Sequence, residues 1–268
     1  MNRIQFLGIP HDANSSFMEG CREGPPLIRR NLFCDAYSLW SETGVDLGVP
    51  GRLVDQGDLR FDSDVDPWTL IETSVAEHLG GGDPLICLGG DHAITHPILR
   101  GVRRYHPKLT LVHIDAHADL YPAYLDNPRS HASPFARIME EKLVDRLIQV
   151  GLRNLNDIHR AQIARFGVEV IEGNRCGETI TLEIDTPVYI SLDIDSLDPA
   201  HAPGVSHREP GGLTTRQVIN LIQGIRANIV GADIVEYNPR NDISDMTSGV
   251  VAKLLKEIAG TIWRNAGA

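Results

Sequence analysis

Apolar residues in this chain come in short, mostly unbroken runs rather than in long alternating stretches. IQFLGIP (4–10), PLICLGG (84–90), LTLVHID (109–115), LIQVGLR (147–153), VEVIEG (168–173), PVYISLDID (187–195) and ANIVGADIVEYNP (227–239) read as strands. Their near-continuous apolar character predicts parallel strands covered on both faces. Between the runs the apolar spacing becomes helical. Asp66 and Pro67 at the head of WTLIETSVAEHL supply a helix cap and a first-turn proline. Thr214-Thr215 opens another helix through RQVINLI, and TSGVVAKLLKEIAGTIW forms the last one. Strand and helix alternate throughout with no repeat or linker, so the expectation is one α/β domain over residues 1–268.

Composition narrows the class of function. With 268 residues and 42% apolar content the chain can bury a sizeable core. Its formal net charge is −11, and the densest basic points are the pairs Arg29-Arg30 and Arg103-Arg104, which is no nucleic-acid-binding stripe. Cys21, Cys34, Cys87 and Cys176 lie far apart without a CxxC pair, which argues against a disulfide framework or a structural zinc site and suits a reducing cytoplasm. MNRIQFLGIP is too short in apolar length for a signal peptide, and no run approaches the roughly 18 residues of a membrane span. A cytoplasmic protein with no nucleic-acid or membrane partner is expected.

Polar chemistry concentrates in four places where a strand gives way to a loop: Gly89-Gly90-Asp91-His92, then Asp115/His117/Asp119, then Asp193/Asp195, then Glu236. That edge is where open parallel sheets bind ligands. Alternation on an extended chain sends residues i, i+2 and i+4 to one side, so Asp115, His117 and Asp119 can converge. Asp193 and Asp195 can face them from another strand, with His92 as a sixth group. An oxygen- and imidazole-rich set without thiolate suits Mn²⁺ or a similar first-row ion. Its four aspartates balance two divalent cations and repel one another without them. His113 reads as a satisfied core residue on the face opposite Asp115. DIDSLD starts like a calcium loop but has Asp198 where an EF-hand needs Gly, and DSDVDPW (62–68) has Pro67 there, so the latter reads as a solvated loop and cap. HExxH, P-loop and GxSxG patterns are absent.

Taken together, GGDH (89–92), DAHAD (115–119), SLDIDSLDP (191–199) and PGGLT (210–214), in this order, resemble the ureohydrolase family of arginases, agmatinases, guanidinobutyrases and formiminoglutamases. GIPHDANSS near residue 8, EGPPLIR (23–29), DIVEYNPRND and DMTSGVVAKLL carry the resemblance over nearly the whole chain. It implies a three-layer α/β/α sandwich around a parallel, mostly eight-stranded sheet. It also implies two Mn²⁺ per subunit, with Ni²⁺ or Fe²⁺ suited to the same donors. His92, Asp115, Asp119 and Asp193 would hold one ion, and Asp115, His117, Asp193 and Asp195 the other, so that Asp115 and Asp193 bridge. Such a pair lowers the pKa of water toward neutrality, and the implied reaction hydrolyses a guanidino C–N bond to urea and an amine. In the family pattern Asp119 takes a proton, Glu236 pairs with the guanidinium, and His131 in NPRSHASPF passes a proton to the leaving amine, work for which an imidazole is apt. Family members assemble as trimers or hexamers, so a homo-oligomer is expected.

The implied substrate is a small guanidino compound. Ala93 and the run Val205-Ser206-His207-Arg208 depart from the usual family residues near the pocket mouth. The loop GLRNLN has Asn154 and Asn156 where arginases carry an acidic residue, which disfavours arginine. After DAHAD, Tyr121, Tyr124, Asp126 and Arg129 are available. Asp126 facing the pocket would hold the distal ammonium of agmatine, giving putrescine and urea. Arg129 facing it would select a carboxylate tail, as in guanidinobutyrate or formiminoglutamate. Agmatine is the favoured reading, with the carboxylate-tailed compounds, arginine, and a non-catalytic guanidino-binding relative as alternatives.

Overall fold

The computed structural model describes residues 3–61, 64–177 and 180–267. Its strands are β1 (Ile4–Gly8), β2 (Leu53–Asp58), β3 (Leu85–Leu88), β4 (Thr110–Ile114), β5 (Arg146–Leu152), β6 (Glu169–Glu172), β7 (Val188–Asp193) and β8 (Ile229–Val235). They form one eight-stranded sheet in the order β2-β1-β3-β8-β7-β4-β5-β6, with every pairing parallel. The helices are α1 (Gly24–Leu32), α2 (Pro67–Leu79), α3 (Thr95–Arg103), α4 (Pro134–Glu140), α5 (Asp157–Phe166), α6 (Thr215–Gly224) and α7 (Met246–Ala266). The expected eight-stranded, three-layer α/β/α architecture is the observed one.

Each central strand sends alternate residues to two separate cores. Ile86, Leu88, Val112, Ile114, Ile190 and Leu192 meet residues of α1, α6 and α7 on one face. Cys87, Leu109, Leu111 and Tyr189 meet residues of α2, α3 and α4 on the other. Burial on both faces is why these strands read as unbroken apolar runs. β2 was absent from the expected strands. It is an edge strand of sequence LVDQGD, half-exposed along its length, and its polar content hides it from a search for apolar runs.

Local signals at helix starts translate directly. Asp66 accepts a hydrogen bond from the Thr69 N–H at 3.2 Å, with Pro67 opening α2; the first two residues of DSDVDPW, Asp62 and Ser63, lie outside the described residues. Thr214 and Gln217 form a reciprocal capping box at the start of α6.

The strand order places the site. β3 and β4 follow one another in the chain, yet β8 and β7 lie between them in the sheet. The carboxyl ends of β3, β8, β7 and β4 are therefore neighbours, and all four polar clusters of the sequence emerge there. Ligand crevices form at such switch points.

Candidate metal centre

Immediately after β3, Gly90 allows the N-terminal loop to lie against the turn: a Cβ there would fall 2.0 Å from the His11 carbonyl oxygen. The same carbonyl accepts the Asp91 N–H at 3.0 Å. Asp91 ties the turn to that loop, accepting from Asn14 N (2.9 Å) and from Ala93 N (3.1 Å). His92 then opens a short 3₁₀ turn, fully buried.

The aspartates converge, but not by alternation along a strand. β4 ends at Ile114, and Asp115–Asp119 form a loop whose last residue has φ +49°. Asp193 is the last residue of β7, and Asp195 sits in the 3₁₀ turn that follows. Glu236, just past β8, has φ +63°. Left-handed backbone at two non-glycine residues costs of order 1–3 kcal/mol each, and such strain clusters at functional sites.

His92 Nδ1 lies 3.2 Å from Asp115 Oδ2, 3.2 Å from Asp119 Oδ2 and 3.0 Å from Asp193 Oδ2. His117 Nδ1 lies 3.1 Å from Asp195 Oδ2 and 3.5 Å from Asp115 Oδ1. Asp115 thus turns one oxygen to each imidazole. On the far side of the His92 ring, Nε2 is 2.9 Å from Ser191 Oγ, whose proton is donated to Asp233 Oδ1 at 2.7 Å. Ser191 therefore accepts from His92 Nε2–H, which leaves Nδ1, facing three carboxylate oxygens, as the ring nitrogen able to offer a lone pair to a cation. This buried Nδ1 has no hydrogen-bond partner among the described residues. Lone pairs of four groups meeting at one point call for positive charge between them, and an oxygen-nitrogen donor set of this kind fits a first-row divalent ion. Burial, then the Asp195 and Asp115 carboxylates, push the Asp193 carboxyl well above its usual range.

Beside this cluster, Glu236 Oε1 accepts from His92 N–H and from His131 Nδ1, both at 2.9 Å, and Oε2 accepts from the Cys21 thiol at 3.5 Å. Burial alone would raise the Glu236 carboxyl, but His131 dominates and brings it down to about 2. Burial alone would conversely lower the His131 imidazolium, and the Glu236 carboxylate carries it up to about 9. The other His131 nitrogen, Nε2, contacts Ser16 Oγ at 2.8 Å and Ser16 N at 3.2 Å.

These groups line a cavity of about 170 Å³ that opens to solvent. Asp119, Asp193, Asp195, His117, His131 and Glu236 form its floor; Ser16, Tyr121, Tyr124, Asn154, His159 and His207 contribute its walls. Of the residues expected to touch substrate, Asn154 is therefore in the lining. Two others stand elsewhere. Asp126 is exposed and outside the lining, and Arg129 pairs with Asp66 at 2.8 Å and lies 4.7 Å over the Trp68 ring. Asn156 is a helix cap: its Oδ1 accepts His159 N–H at 3.0 Å and its amide donates to Tyr121 OH at 2.6 Å.

Sequence reading missed Ser16, His159 and the placement of His113, whereas His207, expected near the pocket mouth, is in the lining. Ser16 and His207 come from loops distant in sequence, and His159 faces the cavity from the first turn of α5. His113 was placed on the wrong face: it is two residues from Asp115, shares its side of the strand, and contacts it at 2.7 Å. The alternation that predicted convergence of Asp115 and His117 contained this signal.

The model of the Arginase family matches residues 2–260. The chain belongs to the arginase family. Arginase 1, mitochondrial, of Arabidopsis thaliana is 41% identical over 96% of this chain and 80% of that protein. The agmatinase of Chromobacterium violaceum is 35% identical over 97% of this chain and 86% of its own length. Among solved structures, the arginase from Medicago truncatula superposes with a TM-score of 0.89 at 38% identity, covering 97% of this chain and 87% of that one. This arginase-family protein is a metal-dependent hydrolase of amidino C–N bonds, acting on a guanidino substrate.

Proposed function

We propose that this arginase-family chain hydrolyses L-arginine to ornithine and urea at a pair of Mn²⁺ ions. One ion would be held by His92, Asp115, Asp119 and Asp193, the other by Asp115, His117, Asp193 and Asp195; the two groups of close contacts around His92 Nδ1 and His117 Nδ1 support that division. Two such ions, when bound, supply hydroxide near neutral pH. Glu236, ionised and at the cavity floor, pairs with the guanidinium and offsets its repulsion from the ions. Asp119 accepts the proton of the attacking water, and His131, held by Glu236 and Ser16, delivers one to the departing amine.

One observation carries the substrate reading: the cavity wall is neutral. Among the described residues the lining includes no Lys or Arg, and its carboxylates are Asp119, Asp193, Asp195 and Glu236, all at the floor. A lone ammonium tail asks for a carboxylate and a lone carboxylate tail asks for a cation. The zwitterionic end of an α-amino acid asks instead for mixed donors and acceptors, which Asn154, Ser16, His207 and the tyrosine hydroxyls offer. Asp126 and Arg129, on which agmatine and the carboxylate-tailed substrates respectively depended, stand outside that wall. Agmatine remains as the second reading because the Tyr121 and Tyr124 rings, 5.0 Å apart, present aromatic surface that attracts an ammonium group.

Urea release from Mn²⁺-loaded protein, compared across arginine, agmatine and 4-guanidinobutyrate, tests the proposal. A higher kcat/KM for arginine is expected, and a preference for either other compound sinks the arginine reading. Parallel loading with Ni²⁺ or Fe²⁺ decides the ion. The unpaired state of all four cysteines supports a cytoplasmic setting. Exposed Phe33, Tyr37, Trp40, Ile243 and Met246, close to α1 and the start of α7, support a homo-oligomer, trimer or hexamer. Strands from both ends of the chain interleave in one sheet, which supports a single domain over residues 1–268. No helix among the described residues is long and apolar enough to cross a membrane.

A further inference from the structure

His113 lies within ligand distance of His92 and Asp115 and could be counted as a third metal donor. Its hydrogen bonds argue for a different role. The Gln149 amide nitrogen donates to the Ala118 carbonyl at 2.7 Å, which orients the amide group. Its second N–H then points at His113 Nδ1, 2.9 Å away. An accepting Nδ1 leaves the ring proton on Nε2, and Nε2 is 2.7 Å from Asp115 Oδ2. Both ring nitrogens are thus engaged, neither as a lone pair open to a cation. The ring itself is fully buried and stacked on Phe135, with centroids 3.7 Å apart at 22°. It cannot swing to another partner without breaking that stack. The other oxygen of Asp115 accepts the His117 N–H at 2.7 Å.

We propose that His113, oriented by Gln149 and Phe135, is a positioning residue that aims the Asp115 carboxylate between the two ion sites and thereby sets how tightly both ions are held. The proposal rests on the two-ion reading above. Asp115 is the group whose two oxygens face the two imidazoles, so a rotation of its carboxylate disturbs both sites at once. A donor fixed on Oδ2, with a backbone donor on Oδ1, leaves one rotation and one free lone pair on each oxygen for a cation. Groups that hold metal ligands in this way typically change metal affinity or activity by about 10–100-fold when removed.

The test is a Mn²⁺ titration against a competing chelator, on metal-depleted wild type and on His113→Phe, a ring of similar size that keeps the stack and deletes the donor. Both ions should bind about 10–100-fold more weakly in the variant, while the metal-free variant still unfolds cooperatively. Gln149→Met, which leaves the imidazole in place and removes its orienting donor, should weaken binding by a smaller factor; it carries the test alone if His113→Phe does not fold. Nitrogen-15 spectra of the metal-free wild type should report the proton of His113 on Nε2. Wild-type affinity in the folded variants, or a proton on Nδ1, overturns the proposal while leaving the metal reading intact. A wild-type protein that takes up no divalent cation overturns both.

Discussion

The floor and the wall of this cavity are held in place by different means. At the floor three of the proposed ion-facing side chains have a second attachment behind them. His92 leans on Ser191, Asp115 on His113 and the His117 N–H, and Asp193 Oδ1 accepts the Asp195 N–H at 2.7 Å. These residues follow rigid central strands and are buried. The wall is made of loops after β1, β4, β5 and β7 and of the first turn of α5, and Asn154 is exposed there. Reaction chemistry needs fixed geometry, whereas selection of a substrate tail is done on loops that can vary without disturbing it. A floor mutation should therefore abolish turnover for every substrate, and a wall mutation should change which substrate is preferred.

The largest effect should come from Asp193→Ala. Deleting a carboxylate that faces His92 Nδ1 at 3.0 Å removes a proposed ligand of the two ions, whose charge stabilisation is worth several kcal/mol. A loss of about a thousand-fold or more in kcat is expected, with fewer than two Mn²⁺ per chain by metal analysis. Next is His131→Asn, which removes the proposed proton donor but keeps a side chain able to face Glu236. The kcat for arginine should fall by about 10²–10³-fold, a size typical of general acid-base groups, with KM changed little. Retention of full kcat would place the proton transfer elsewhere.

Metal removal probes the floor without mutation. Each ion present at about 100 times its Kd stabilises the fold by about 2.7 kcal/mol, so chelation should lower Tm. The gap should widen as pH rises. Burial, then Asp195 and Asp115, raise the Asp193 carboxyl; burial, then Asp115, bring Asp195 up to about 6 in spite of His117. A carboxyl raised in the fold contributes stability that is complete below its unfolded pKa of about 3.9 and is lost as pH climbs through the folded value. The metal-free protein loses this contribution from about pH 4 to 6 for Asp195 and further upward for Asp193, whereas cations prefer the deprotonated ligands. A Tm difference that shrank between pH 5.5 and 8 would count against the cluster as an ion site.

The same contrast explains what could be read from sequence. Unbroken apolar runs reported the doubly covered strands and so the layers, and GGDH, DAHAD and DID stand out because strand ends place local residues at the floor. β2 escaped because an edge strand with one covered face need not be apolar. The wall was legible only in part: Asn154 and His207 were expected near the substrate, but Ser16 and His159 are brought beside them only by folding, and nothing in LYPAYLDNPRSH tells which way Asp126 or Arg129 points. His113 was recoverable by counting two residues back from Asp115 into β4.

Wall predictions are smaller and selective. Asn154→Asp adds a carboxylate to a neutral wall and should raise the agmatine-to-arginine ratio of kcat/KM by about tenfold, the scale of one altered pocket contact, while leaving Mn²⁺ content at the wild-type level. An equal effect on both substrates would mean that Asn154 does not meet the tail.

The smallest effect should come from Arg129→Ala, which sharpens the boundary of the wall. Arg129 lies in the same loop as Tyr121 and Tyr124, and by sequence it is as good a candidate for substrate contact as either. In the fold its guanidinium is committed to Asp66 and to the face of Trp68, on the side where α2 begins. Loss of a half-exposed ion pair costs about 0–1 kcal/mol, so Tm should fall by a few degrees at most and kcat/KM for arginine, agmatine and guanidinobutyrate should all stay within about twofold of wild type. A selective collapse of activity on guanidinobutyrate would show that the loop turns Arg129 into the cavity when a carboxylate arrives. Unchanged ratios would limit substrate selection to the residues that line the cavity as it stands.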